Sequence, residues 1–194
     1  MKPKVIGIIG GAGSGKSEVL RIMKEKYGAQ IIMADDVARK LQEPGGSAYG
    51  PMVEAFGTDI LMADKTIDRP KLAQIVFNDK QSLQTLNAIV HPKVRQQIEA
   101  MIGSSQNPVI VLEAALLVEC NYRQLCDEFW YVRSSEAVRR QRMKETRNYS
   151  DEKIDSILKN QLSEEAFLKN SDRVIENDAS LKALEKEISE NFSL

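Results

Sequence analysis

The chain has 194 residues, of which 42% are hydrophobic and 28% charged, a length and balance that suit one compact α/β core with modest insertions. Its 27 basic and 28 acidic side chains leave a formal charge of −1, which gives no polyelectrolyte signal for DNA, RNA or an anionic membrane. No apolar run approaches the roughly 20 residues that span a bilayer, and the stretch after Lys2 and Lys4 is too short for a secretory signal before it meets Lys16 and Glu18.

Lys4-Val5-Ile6-Gly7-Ile8-Ile9 is a short apolar, β-branched run, as a buried central strand requires. It leads into Gly10-Gly11-Ala12-Gly13-Ser14-Gly15-Lys16-Ser17, a full G-x-x-x-x-G-K-[ST] phosphate-binding loop. Val19, Leu20, Ile22 and Met23 then recur at helical spacing until Gly28 stops the helix. Residues 29–33 form a second strand, and Asp35-Asp36 opens a helix through Val37, Ala38 and Leu41. Glu43-Pro44-Gly45-Gly46-Ser47 is a loop by its composition, 48–56 a short helix closed by Gly57, and Asp64 to Thr66 a turn. From Asp68 to about Gly103 the period is helical, and Pro92 is expected to end or kink one of these helices. Strands return at 108–113 and 128–132, helices follow at 135–146 and 151–161, and a last strand at 173–175 precedes an amphipathic helix at 179–192. The alternation implies an α/β fold with a mostly parallel five-stranded sheet flanked by helices and joined by right-handed crossovers.

In such a sheet ligands bind beyond the carboxyl ends of the strands. The phosphate loop after the first strand, Asp35 after the second and Glu113 at the end of the third all fall there. In the loop, the glycines let successive N–H groups face a polyphosphate, Lys16 adds a mobile cation, and the Ser17 hydroxyl can ligate Mg²⁺. Asp35 or Asp36 reads equally as a base that takes a proton from an attacking hydroxyl and as a helix cap. Glu113 reads equally as an acid near Mg²⁺ and as a strand-terminal carboxylate in solvent. Between Arg133 and Arg147, Arg139, Arg140, Arg142 and Lys144 add to a basic stretch opposed only by Glu136 and Glu145. A helical lid closing over ATP would use one or two of these cations on the leaving phosphate; the competing reading is a solvated helix face. Cys120 and Cys126, six apart, fit two reduced thiols rather than a disulfide framework or a zinc site. The single histidine, His91, excludes a His-rich metal site and stands beside Pro92.

Taken together, these stretches resemble the dephospho-coenzyme A kinase family, from about residue 4 to about residue 181. The matching residues are the loop at 10–17; Ala34-Asp35 with Val37-Ala38-Arg39 and Glu43-Pro44-Gly45; Asp68-Arg69 with Leu72 and Val76-Phe77; Leu86-Asn87-Ala88-Ile89-Val90-His91-Pro92; Leu116-Leu117-Val118-Glu119; Arg142 with Gln161; and Val174-Ile175-Glu176-Asn177. The chain departs from the family pattern at Ile9, where threonine is usual, at Met33, where a first aspartate is usual, at Ala115, where proline is common, and at Thr146-Arg147, where an Arg-Asp pair is expected.

The resemblance implies a P-loop kinase core (1–34, 105–135 and 171–194), a helical acceptor subdomain (35–104) inserted in it, and a helical lid region (136–170). It implies phosphorylation of the ribose 3′-hydroxyl of dephospho-coenzyme A by ATP with Mg²⁺, the last step of coenzyme A synthesis. Gly11, Ala12, Gly13, Ser14, Gly15, Lys16, Ser17 and Glu18 would bind ATP together with Arg142 and Asn177, and Ser17 would hold the metal. Asp35 would be the general base, with Arg39 and His91 beside it in the acceptor site; Lys16 and Arg142 would act on the phosphates. A cytoplasmic monomer or small homo-oligomer is expected, with no nucleic-acid or membrane partner. Another P-loop kinase of a nucleoside monophosphate or hydroxy acid would share the loop but not the Glu-Pro-Gly and His-Pro context. A nucleotide-hydrolysing switch or binding module would share the loop alone, and no Asn-Lys-x-Asp guanine-reading motif is found.

Overall fold

The computed structural model describes residues 2–114 and 122–192. Ala115, the Leu116-Leu117-Val118-Glu119 stretch and Cys120 lie outside the described residues. The chain divides into two compact units, Met1–Ile32 with Ser105–Leu194 and Met33–Ser104.

The first unit is built on a five-stranded sheet of order β2-β3-β1-β4-β5, with β1 at Lys4–Ile9, β2 at Gln30–Met33, β3 at Val109–Glu113, β4 at Glu128–Arg133 and β5 at Arg173–Glu176. The pairings of β1 with β3, β1 with β4 and β4 with β5 are parallel. The central place of β1 explains its unbroken apolar run, since both of its faces are covered. Ile6 and Ile8 share one face with Val109, Val111, Trp130, Val132 and Ile175. That face packs on α1 (Lys16–Tyr27) and α9 (Leu181–Asn191) through Val19, Leu20, Ile22, Met23, Leu184 and Ile188. On the opposite parity lie Val5, Ile9, Ile110, Leu112, Phe129 and Tyr131, all buried; Tyr131 stacks on Phe167 at 5.0 Å between ring centroids. Gly28 ends α1 with φ +63° and donates its N–H to Met23 O, the left-handed cap that the sequence signals. Cys126 is half-buried beneath Gly7. Burial pushes its thiol up to about 12, so it is no nucleophile near neutral pH.

The second unit carries α2 (Ala34–Leu41), α3 (Tyr49–Phe56), α4 (Arg69–Asn78) and α5 (Lys80–Ser104). The turn at 64–66 forms as expected: Asp64 Oδ1 accepts from the Thr66 N–H at 2.9 Å and from its hydroxyl at 2.6 Å.

Two features of the 68–103 stretch differ from the sequence reading. The break falls at Asp79, an extended residue whose carboxylate accepts the Gln81 and Ser82 N–H groups at 3.1 and 2.9 Å and so caps α5. Pro92, by contrast, ends no helix; α5 runs through it. Proline removes one helical hydrogen bond and crowds the preceding turn, at about 3 kcal/mol. The buried stripe of Val90, Val94, Ile98 and Ile102 continues across it, and four apolar side chains at about 1.5–3 kcal/mol each outweigh that cost.

In the first unit, residues 136–170 contain α6 (Glu136–Arg147), α7 (Asp151–Lys159) and a short α8 (Glu164–Lys169) that the sequence periodicity does not mark. Ser150 and Ser163 cap α7 and α8 by accepting the N–H groups of Lys153 and Ala166.

Candidate active site

The phosphate loop leaves the carboxyl end of β1 and opens α1 at Gly15. Its backbone is fixed from behind. The Ser14 carbonyl accepts from Asn177 Nδ2 at 2.8 Å, from the Ser134 hydroxyl at 3.1 Å and from Arg142 Nη1 at 3.4 Å. Ser134 also reaches Asn177 O at 2.8 Å, the same atom that Arg142 Nη2 bonds at 2.8 Å. Ser14, Ser134 and Asn177 are all buried. A carbonyl pinned on this side turns the N–H of its own peptide unit, that of Gly15, the other way, and the N–H groups of Lys16 and Ser17 come before the first bond of α1, from Glu18 N–H to Gly15 O at 3.0 Å. The result is a concave set of donors at a helix N-terminus, suited to a phosphate chain.

Two glycines are required by this packing. Gly15 has φ +91°, and a Cβ there would strike the Asn177 amide. Gly13 has φ +77°, and a Cβ would lie 2.7 Å from the Arg139 carbonyl oxygen. Gly13→Ala is therefore expected to destabilise the protein by about 1–2 kcal/mol from backbone conformation alone, and to weaken ATP binding. Thermal melting and nucleotide titration check this; an unchanged melting temperature would contradict it. Gly11→Ala should be milder, since a Cβ there meets only the side-chain ends of Arg139 and Gln161.

Lys16 donates to Gly10 O at 2.8 Å and Gly11 O at 3.4 Å. Burial lowers its pKa; the Glu113 carboxylate opposes this, and the charges of Arg139 and Arg147 add to it. Glu113 pairs in register with Ile8 of β1 and is half-buried at the end of β3. Ser17 is exposed in the first turn of α1. Glu18 is engaged by Arg21 Nε at 3.0 Å on the outer face of that helix, and this pairing lowers its pKa. Arg139 bonds Ala12 O at 2.9 Å and Gln161 Oε1 at 2.6 Å. Among the described residues no group of three or more His, Cys, Asp or Glu side chains gathers into a metal cluster.

In the second unit, α2 packs on α5, so one compact body carries Asp35, Arg39 and His91. The helix cap is Met33, an extended residue that contributes no side-chain bond. Asp35 and Asp36 lie in the first turn instead. Asp36 faces Arg39 at 3.8 Å. The Asp35 side chain is exposed and makes no hydrogen bond or ion pair among the described residues, which leaves its carboxylate open to a hydroxyl proton. His91 is half-buried within α5.

The family model for dephospho-CoA kinase matches residues 4–183, which span the loop, Asp35, His91, Arg142 and Asn177. The chain belongs to the dephospho-CoA kinase family. It is 38% identical over 183 residues to the dephospho-CoA kinase of Moorella thermoacetica, covering 92% of this chain and 86% of that protein. A crystal structure of a Thermus thermophilus protein superposes with a TM-score of 0.82 at 27% identity, covering both chains completely. The dephospho-CoA kinase from Campylobacter jejuni shares the fold, with a TM-score of 0.65 at 22% identity over 98% of this chain and 96% of its own.

Dephospho-CoA kinases are transferases, and the five-stranded α/β core is the one this family implies. Sequence reasoning missed Ser134 as part of the loop's support. Its only signal is a small polar residue immediately after β4. It also singled out Arg142 without seeing that this guanidinium is held by the Ser14 and Asn177 carbonyls and the Ser134 hydroxyl, while Gln161 bonds Arg139.

Proposed function

We propose that this chain transfers the γ-phosphoryl group of ATP to the ribose 3′-hydroxyl of dephospho-coenzyme A, giving coenzyme A and ADP in the cytoplasm. The observation that carries the reading is the Lys16 loop, with its backbone pinned through Ser14, in a chain of this family. ATP would lie with its phosphates along residues 11–17, where Lys16 exchanges the Gly10 and Gly11 carbonyls for phosphate oxygens. Asn177 and Arg142 support the site from behind the loop.

The Ser17 hydroxyl and the Glu113 carboxylate are hard oxygen donors that suit a Mg²⁺ ion arriving with ATP, directly or through water; bound there, it would offset phosphate charge. Asp35 accepts the proton of the 3′-hydroxyl as its oxygen bonds the γ-phosphorus and the bond to the β-phosphate oxygen breaks. Arg39 and His91, carried on the same helical unit, serve the acceptor. No described helix is long and apolar enough to cross a membrane.

The test is ADP release with dephospho-coenzyme A as acceptor, against AMP and shikimate at equal concentration. Release should be far faster with dephospho-coenzyme A. A rate no higher than with water alone would overturn the proposal.

A further inference from the structure

The basic side chains of the lid region sort by what they bond. Arg133 is held by Glu164 at 2.7 Å and Glu176 at 2.9 Å, Arg140 by Glu136 at 2.7 Å and Asp155 at 2.5 Å, and Lys144 by Asp151 at 2.7 Å. These three are neutralised where they stand. Arg142 spends its donors on the Ser14 and Asn177 carbonyls and the Ser134 hydroxyl, behind the loop. Arg139 is different. It is half-buried, it bonds only the neutral Ala12 carbonyl and Gln161 amide oxygen, and it makes no ion pair among the described residues. Its guanidinium end stands where a Cβ on Gly11 would be, over the early part of the loop.

Burying a cation against neutral acceptors and beside a second cation is unfavourable for the protein alone. Burial lowers the Arg139 pKa, outweighing the opposing charges of Tyr131, Glu136 and Glu164, and its charge disfavours the Lys16 ammonium. Both penalties reverse when a polyanion lies among these groups. Arg147 lies eight residues on, beyond the buried Met143, and its charge also reaches Lys16.

On the reading that this chain is an ATP-dependent kinase, we propose that Arg139 is a catalytic residue that contacts the transferring phosphoryl group as an arginine finger supplied in cis. Gln161 is its positioning residue, and Arg142 is a structural support of the loop. With ATP in the loop, the guanidinium leaves the Ala12 carbonyl and donates to the phosphoryl oxygens that gain charge as the bond to the β-phosphate loosens. It is worth most in that state and little in the ground state.

Arg139→Ala and Arg139→Gln are made in the full chain, the second keeping a donor for Ala12 O in case the first fails to fold. Both should lower kcat about 10²–10³-fold while the affinity for ADP changes less than about threefold. Binding of ADP with Mg²⁺ and aluminium fluoride, which mimics the transferring phosphoryl group, should be lost in both variants and kept in the wild type. Gln161→Ala should show the same pattern, weaker. A kcat within threefold of wild type, or a parallel loss of ADP and ADP–aluminium fluoride binding, would overturn the assignment. Wild-type protein that releases no ADP with dephospho-coenzyme A would instead overturn the acceptor reading, while the aluminium fluoride comparison still judges Arg139.

Discussion

Asp35→Asn is expected to lower kcat by about 10²–10⁴-fold, the usual contribution of a positioned general base, with ATP affinity nearly unchanged. The physical grounds lie in the first turn of α2. Asp35 and Asp36 stand side by side, yet among the described residues only the Asp36 side chain has a partner, Arg39 at 3.8 Å. Asparagine matches the size of the carboxylate and keeps its place in the turn, so the helix should form as before. What it removes is the ability to accept a proton. The phosphate loop belongs to the other compact unit, and the substitution alters none of its residues. Steady-state kinetics with dephospho-coenzyme A, beside an ATP titration, separate the two quantities. Turnover within about threefold of wild type would remove Asp35 from the role of base.

Lys16→Ala is expected to lose both ATP affinity and turnover, with kcat/KM down about 10³-fold or more, since a positioned cation acts on the phosphates before and during transfer. Stability should move the other way. The Lys16 pKa is lowered in the folded protein, by burial first and then by Arg139 and Arg147 against the help of Glu113. A lowered pKa means that the unfolded chain binds this proton more tightly. The wild type therefore gains stability as pH rises through the lowered value toward the ordinary 10.5, and below the lowered value it bears the full penalty of the buried charge. Alanine removes that penalty and the bonds to Gly10 and Gly11 together. The ligand-free variant should melt at or above the wild-type temperature, and its stability should lack the wild-type rise at alkaline pH. A melting temperature several degrees lower would make Lys16 a structural prop of the loop instead.

The two positions differ in how far the chain itself reveals them. Lys16 is legible because G-x-x-x-x-G-K-[ST] is local: strand, glycine turn and helix follow one another, and the left-handed glycines permit the turn that the motif needs. The strands are legible for a similar reason. A strand buried on both faces must be apolar throughout, and Val5 to Ile9, Val109 to Leu112 and Phe129 to Val132 are. Asp35 is half legible. Its place after β2 is written in the order of residues, but its freedom from Asp36's pairing is a matter of side-chain geometry. The helix ends at 68–104 are less legible still, because the stripe from Val90 to Ile102 overrides Pro92, and a cap at Asp79 divides a period that reads as continuous.

By itself, then, the sequence determined the phosphate loop and the alternation of strands and helices, which rest on local backbone preferences and short-range spacing, and its motifs carried a resemblance to one kinase family. Only the tertiary structure decided the fate of the arginines. Arg133, Arg139, Arg140 and Arg142 look alike in the chain, for each is a long, flexible cation on or beside one helix. Their partners are distant: Glu176 for Arg133, Ala12 for Arg139, Asp155 for Arg140, Ser14 for Arg142. A guanidinium on a flexible stem can reach acceptors several ångströms away in many directions, so which one it meets is set by how the helices pack and not by its neighbours in sequence.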